Sequence, residues 1–278
     1  MDYYADFGVN WLGYAEIAVK VYFSGCLKIE QTIMKVTYMK NKTQQSIQEI
    51  INTYNTVIGV MEETAHEQDA SGERAYGGVV RATKGKLQEF ITQRLIETAW
   101  IDELQQNKDR LEINSKKIAI PIKKDYLNTL PENIKEHISK NIDDYVYKLS
   151  VDKHIFIDDN FIAGIECKAY TENAMLKRIL VDFMLLKTKY PKLDCFLFQL
   201  ESMLGGDYSL INATTFGSTA THSIMSYFDN VDLHIFTFIK GERNVERPIN
   251  KPEYFKPLEA SALEKAVFAL VNVLEKAV

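Results

Sequence analysis

Cysteine is scarce in this sequence: there are three among 278 residues, Cys26, Cys167 and Cys195, with no pairing rhythm and no C-x-x-C spacing. That excludes a disulfide framework and a cysteine-based zinc site, and it implies a reducing cytoplasm. Long apolar runs are missing too. The longest near the start, Val9 to Phe23, is broken by Asn10, Glu16 and Lys20 and has no basic leader before it, so neither a membrane span nor an export signal is expected. Positive charge is not in excess, since 33 Lys and Arg against 38 Asp and Glu give a net charge of −5. The average therefore does not advertise a nucleic-acid binder, although a local basic cleft is compatible with an acidic total. His66-Glu67 is followed by Ala70 where a second histidine would be needed, so the zinc-protease motif is absent.

What is present is ordinary for a globular chain: 46% hydrophobic and 26% charged residues, in a length that supports one good core or one core plus a helical extension. Residues 1 to about 75 read as a helical region for packing or subunit contact. Within it Ile47, Ile50, Ile51, Tyr54, Ile58 and Met61 recur at helical spacing and form an apolar stripe. Periodicity alone leaves open whether that stripe meets the chain's own core or a second subunit. Glu62 to Gly78, with Asp69, Ser71, Gly72, Gly77 and Gly78, is the candidate loop joining this region to a catalytic body over residues 76–278.

The chemistry concentrates between Ser150 and Tyr170. Lys153–Ile157 and Phe161–Tyr170 are rich in Ile and Phe and flank the turn-formers Asp158-Asp159-Asn160, which predicts a strand, a turn and a strand. A fold-back centred on Asp159 sets Asp152 opposite Glu166 on one face, with Lys168 sharing that face and Cys167 pointing the other way. Two facing carboxylates repel unless a cation lies between them. A divalent ion reverses that sign, and hard oxygen ligands favour Mg2+ or Mn2+. A lysine beside such a site can hold a phosphate oxygen or help position an attacking water. Asp158 and Asp159, the competing acids, read as solvated turn residues. A slip of one residue would exchange the faces and undo the assignment.

Asp152, thirteen intervening residues and then Glu166-Cys167-Lys168 resemble the PD-(D/E)xK nuclease motif. Val151 stands where the proline of the family name would be. The resemblance covers roughly residues 80 to 278. Within the superfamily the chain most resembles type II restriction endonucleases, through Ile165-Glu-Cys-Lys-Ala-Tyr170 and Lys240-Gly-Glu-Arg-Asn244. It implies an α/β fold with a central mixed sheet flanked by helices, and Mg2+-dependent hydrolysis of double-stranded DNA at a specific sequence, leaving 5′ phosphates. Asp152, Glu166 and the Cys167 carbonyl would hold the metal, Lys168 would orient or activate water, and Glu89, on a helix ahead of the hairpin, is a candidate further acid. A homodimer is the simplest assembly for cutting two strands, with a heterodimer of related subunits as the alternative. A structure-specific repair or recombination nuclease, and a non-catalytic α/β interaction protein, are the rival readings.

The remaining segments supply context. Val79 to Leu104 and Asn133 to Leu149 read as helices, the second leading into Asp152 and placing the hairpin. Lys116, Lys117, Lys123 and Lys124 bracket Ile118–Ile122 as a solvated basic patch. Thr171 to Tyr190 reads as a helix capped by Thr171 and stopped by Pro191, and Cys195 to Glu201 as a buried strand, with Gln199 and Glu201 near the site. Strand, helix and strand so spaced predict a parallel crossover. Gly205 to Asn230 reads as irregular, with Asn212, Thr214, Thr215, Thr219 and His222 among side chains that suit base edges and phosphates as they suit any surface loop. Leu233 to Ile239 is a further strand. It leads into Lys240, Arg243 and Arg247, the first candidates for DNA contact. Leu258 to Lys276 reads as a core-covering helix.

Overall fold

The two arms of the predicted hairpin form as β4 (Lys153–Ile157) and β5 (Asn160–Thr171) in the computed structural model. The structure describes residues 41–61, 63, 73–209 and 217–278. Expectations that rest on residues 1–40, on the loop residues 64–72, and on Asn212, Thr214 and Thr215 lie outside them. Gln45–Val278 form one compact unit.

Only Asp158 and Asp159 make the turn, both at positive φ (47° and 65°). That is the backbone of the two-residue type I′ hairpin, whose twist matches that of the strands. Arg110 clamps it, donating from Nε and Nη2 to the Asp158 carboxylate at 2.6–3.1 Å, so Asp158 is an anchored turn residue. Next to the turn Ile157 opposes Asn160 and Phe156 opposes Phe161. Beyond it Ile155 opposes Ala163, His154 opposes Gly164 and Lys153 opposes Ile165. Ile162 is thus an extra residue, a bulge. It turns Phe161 onto the same side as Phe156, where the rings stack at 4.9 Å. The register past the bulge is the one a centre at Asp159 requires, and it carries the strands toward Asp152 and Glu166.

Around the hairpin stands a mixed five-stranded sheet in the order β1 (Leu111–Asn114), β4, β5, β6 (Asp194–Ser202), β7 (Leu233–Thr237). β1 pairs with β4 and β4 with β5 antiparallel, while β5, β6 and β7 run parallel. The β5–β6 crossover is α5 (Asn173–Lys189), as its apolar spacing predicts. Its N-cap is Glu172, and Thr171 instead ends β5 with its side chain buried.

One face of the sheet, with Ile155, Ala163, Ile165, Phe196 and Phe198, is covered by α1 (residues 41–61), α2 (Glu73–Glu97) and α7 (Ala260–Leu274). The Ile47–Met61 stripe therefore meets the chain's own core, and the Tyr54 hydroxyl donates to the Lys256 carbonyl at 2.7 Å. α2 runs into a π-helical turn, Thr98–Glu103. The other face packs on α5 through Leu176, Leu180 and Phe183.

A two-stranded ribbon of β2 (Ile118–Pro121) and β3 (Val146–Leu149) joins that second layer. Here the single helix expected over Asn133–Leu149 is corrected. Behind a single turn of helix, α3 (Lys124–Leu127), it splits into α4 (Glu132–Lys140), a 3-10 turn at Ile142–Asp144, and β3. Asn141, Asp143 and Asp144 favour turns over helix interior, and Val146-Tyr-Lys-Leu149 finds a strand partner in β2. The irregular region after Gly205 contains α6 (Thr219–Met225), capped by Ser218, whose hydroxyl accepts from the Thr221 amide. Among the described residues no helix is long and apolar enough to cross a membrane.

Asp159 holds a left-handed conformation that glycine adopts without a Cβ penalty. Asp159→Gly should raise stability by about 0.5–1 kcal/mol in urea unfolding; a loss would contradict the type I′ assignment.

Candidate active site

Asp152 sits one residue before β4, and its carboxylate takes over where strand pairing stops. Cys167 N–H on β5, which a longer β4 could have bonded, donates to Asp152 Oδ2 at 2.7 Å. His154 holds the approach, its Nε2 accepting from the Val151 amide at 3.2 Å, while Val151 itself is buried. Val151 thus fills the proline position of the motif as a core residue. Gly164, opposite His154, sits in tight packing: a Cβ there would lie 3.0 Å from Phe183 and 3.2 Å from Val151, so those side chains would have to give way by a few tenths of an ångström. The close seat of α5 fixes the strand face from which Glu166 and Lys168 project.

On that face the expected residues come together. Lys168 Nζ donates to Asp152 Oδ2 at 2.9 Å, to Glu166 Oε2, and to the Cys167 carbonyl at 3.2 Å. Three oxygens from three residues therefore surround one ammonium. The Cys167 thiol points to the other face, 3.2 Å from the Thr92 hydroxyl of α2. Burial would raise the Asp152 pKa, but the Lys168 charge and the Cys167 amide outweigh it and hold the group below its ordinary range. Glu166 is more deeply buried, and desolvation drives its pKa up against the pull of Lys168, with the nearby Asp152 charge adding to the rise. For Lys168 burial works downward, yet the charges of Glu166 and Asp152 win and keep it protonated.

Glu89 is not brought to this cluster. Its carboxylate lies 3.7 Å from Lys153 Nζ, and Lys153 alternates with Asp152 onto the α2 side of the sheet. Among the described residues no group of three or more His, Cys, Asp or Glu side chains gathers at a metal-binding spacing. The donor set here is two carboxylates and a carbonyl.

The basic and polar candidates assemble at the C-terminal ends of β5, β6 and β7, the end that also carries Lys168. The Arg243 amide donates to the Ser202 carbonyl at 2.8 Å, and its guanidinium carbon lies over the Tyr170 ring, 3.5 Å from the centroid. Lys240 and Arg247 are exposed in the same segment. Thr219 and His222 are exposed on α6, which Thr221 ties to the start of α5 by donating to Asn173 Oδ1 at 2.6 Å. None of these five contacts the carboxylates directly.

Gln199, opposite Lys168 in the sheet, donates to the Thr237 hydroxyl at 2.9 Å, and Glu201 is buried 3.5 Å from Lys256 Nζ. Two neighbours escaped the sequence reading. Asp182 on α5 feels the Lys168 charge, although burial raises its pKa. Lys84 on α2 lies within electrostatic reach of Glu201. Helical spacing put Lys84 on a helix but could not say which strand end it faces.

No family model matches the chain. It is 60% identical over 239 residues to the type II restriction enzyme DdeI of Desulfomicrobium norvegicum, a match spanning 86% of this chain and the whole of that enzyme.

The buried Glu166 generates a stability prediction for the metal-free protein. Its folded-state pKa is raised, so the folded chain holds that proton more tightly than the unfolded chain does. Stability therefore falls as pH rises from the ordinary glutamate range through the raised value. Glu166→Gln mimics the neutral acid, and in EDTA it should exceed wild type by about 1 kcal/mol at pH 8, with the gap closing by about pH 5. Guanidinium unfolding at both pH values checks this; a variant markedly weaker than wild type at pH 8 would contradict it.

Proposed function

The chain belongs to the type II restriction endonucleases, and from that premise we propose that Asp152, Glu166 and Lys168 form its catalytic centre, with Mg2+ as the cofactor and Mn2+ able to substitute. It is an endodeoxyribonuclease that cleaves double-stranded DNA at a specific sequence. The rival readings, a structure-specific nuclease and a non-catalytic interaction protein, give way to the family assignment. A homodimer in the cytoplasm is the simplest arrangement, since two antiparallel strands call for two sites.

The observation that carries the site is the convergence of Asp152 Oδ2, Glu166 Oε2 and the Cys167 carbonyl on a single cation, Lys168 Nζ. Those oxygens suit a hard divalent ion as they suit an ammonium. When bound, such an ion offsets the charge that builds on the phosphoryl oxygens and makes water a better nucleophile at neutral pH. Asp152 is held in place for this by the Cys167 amide, and Glu166, buried on β5, by Lys168.

Lys168 keeps its proton beside two carboxylates, so its part is orientation and charge rather than proton abstraction. Its Nζ donates to the attacking water or to a non-bridging phosphate oxygen. Water attack forms a new bond to phosphorus as the bond to the 3′ oxygen breaks; the water gives up a proton to solvent and the 3′ oxygen takes one from solvent, leaving a 3′ hydroxyl and a 5′ phosphate.

Wild-type protein with Mg2+ should cut plasmid into discrete bands. Asp152→Ala and Glu166→Ala should lose at least about 100-fold in cleavage rate while shifting the same DNA in gels within a few-fold of wild type. Cleavage retained by either variant would end the assignment of these residues.

A further inference from the structure

Two residues beyond Lys168 on β5, Tyr170 opens onto a second polar site. A pocket of about 240 Å³ lies between α2 and the C-terminal ends of β5 and β6, walled by Lys84, Arg81, Tyr170, Glu201 and Arg243. Its charge does not balance. Glu201, buried at the base, has Lys256, Lys84 and Arg243 all within electrostatic reach, three cations on one carboxylate. Lys256 approaches it at 3.5 Å, whereas Lys84 donates to the neutral Asn250 Oδ1 at 3.1 Å.

Arg243 is held but little used. Its guanidinium carbon lies over the Tyr170 ring, and among the described residues its side-chain N–H groups make one weak contact, 3.9 Å to Met203 Sδ. A guanidinium carries five donors in a rigid fork that matches phosphate oxygens. Stacking on an aromatic face leaves the in-plane edges to donate. Burial lowers the Lys84 pKa, with the Glu201 charge opposing the drop and that of Arg243 adding a smaller part to it.

We propose that this pocket is a phosphate seat, in which Arg243 and Lys84 grip the DNA backbone phosphate next to the one being cut. The inference rests on the nuclease reading of Asp152, Glu166 and Lys168, and it adds the element that sets which phosphate reaches them. Lys168 and Tyr170 are two residues apart on one strand, a separation of about 7 Å. That is on the scale of one nucleotide step along the backbone, so one strand end presents two successive phosphates to two sites. Glu201 keeps the cations apart and aimed, and holds Lys256 back from the ligand.

The test uses the full chain in EDTA, where binding is read without cleavage, on a fluorescent duplex containing a cut site mapped from plasmid digestion. Lys84→Met and Arg243→Gln should each weaken binding about five- to tenfold at 150 mM salt and lower the slope of log K against log salt by about 0.9. Lys84→Arg, which keeps the charge, should stay near wild type and controls for folding. Duplexes in which single phosphates are replaced by neutral methylphosphonates add a positional readout. One linkage beside the scissile one should weaken wild type and leave Lys84→Met nearly unaffected. An unchanged salt slope with the same sensitivity at every linkage in wild type and variants would overturn the proposal. Plasmid cleavage by the same wild-type preparation separates that failure from a failure of the nuclease reading.

Discussion

The site depends on one ammonium holding two acids together. Without a cation, Asp152 and Glu166 would face each other across the end of a hairpin in a partly desolvated place, where like charges are costly. Lys168 offsets that cost from the same strand as Glu166, and the Cys167 amide adds to it at Asp152. The arrangement is a compromise, because Glu166 is still pushed toward its protonated form by burial. Under the proposed function, such a group would trade one positive partner for another when a divalent ion binds.

Everything that fixes this meeting is backbone geometry and packing at a distance from it. The type I′ turn and the bulge at Ile162 set which residues face each other, and an error of one would send Glu166 to the α2 side. Phe156 and Phe161 stack on the α5 side, and the bare Gly164 lets Phe183 come close. Arg110 ties the turn to the end of the chain, with Nη2 donating to the Ala277 carbonyl at 3.2 Å. The two ends of the hairpin thus have separate tasks. The turn end is pinned to the scaffold, and the open end carries the proposed catalytic residues.

Much of this was legible in the sequence because it depends on short-range rules. Period-two alternation and a cluster of turn formers are enough to place Asp152, Glu166 and Lys168 on one face, and a helix between two apolar strands is enough to make β5 and β6 parallel. The bulge was not legible, since nothing in Phe161-Ile162-Ala163 marks which residue lacks a partner. Nor was β3, because Val146–Leu149 is too short to declare itself a strand until Ile118–Pro121 is there to pair with it. Glu89 shows the same limit. Its place on a helix followed from spacing, but the face of the sheet that helix covers is a tertiary fact, and it sets Glu89 beside Lys153. The Lys84–Glu201–Arg243 pocket joins residues more than 100 positions apart and has no local signature at all.

Calorimetric titration with Mn2+ tests most directly the claim that Lys168 stands where a divalent ion would be held. Wild-type protein should give a saturable heat, Glu166→Gln should lose it, and Lys168→Met, freed of the competing ammonium, should bind Mn2+ at least as tightly as wild type. Absence of specific heat from wild type, or an isotherm indifferent to Glu166→Gln, would show that these oxygens do not form the metal site.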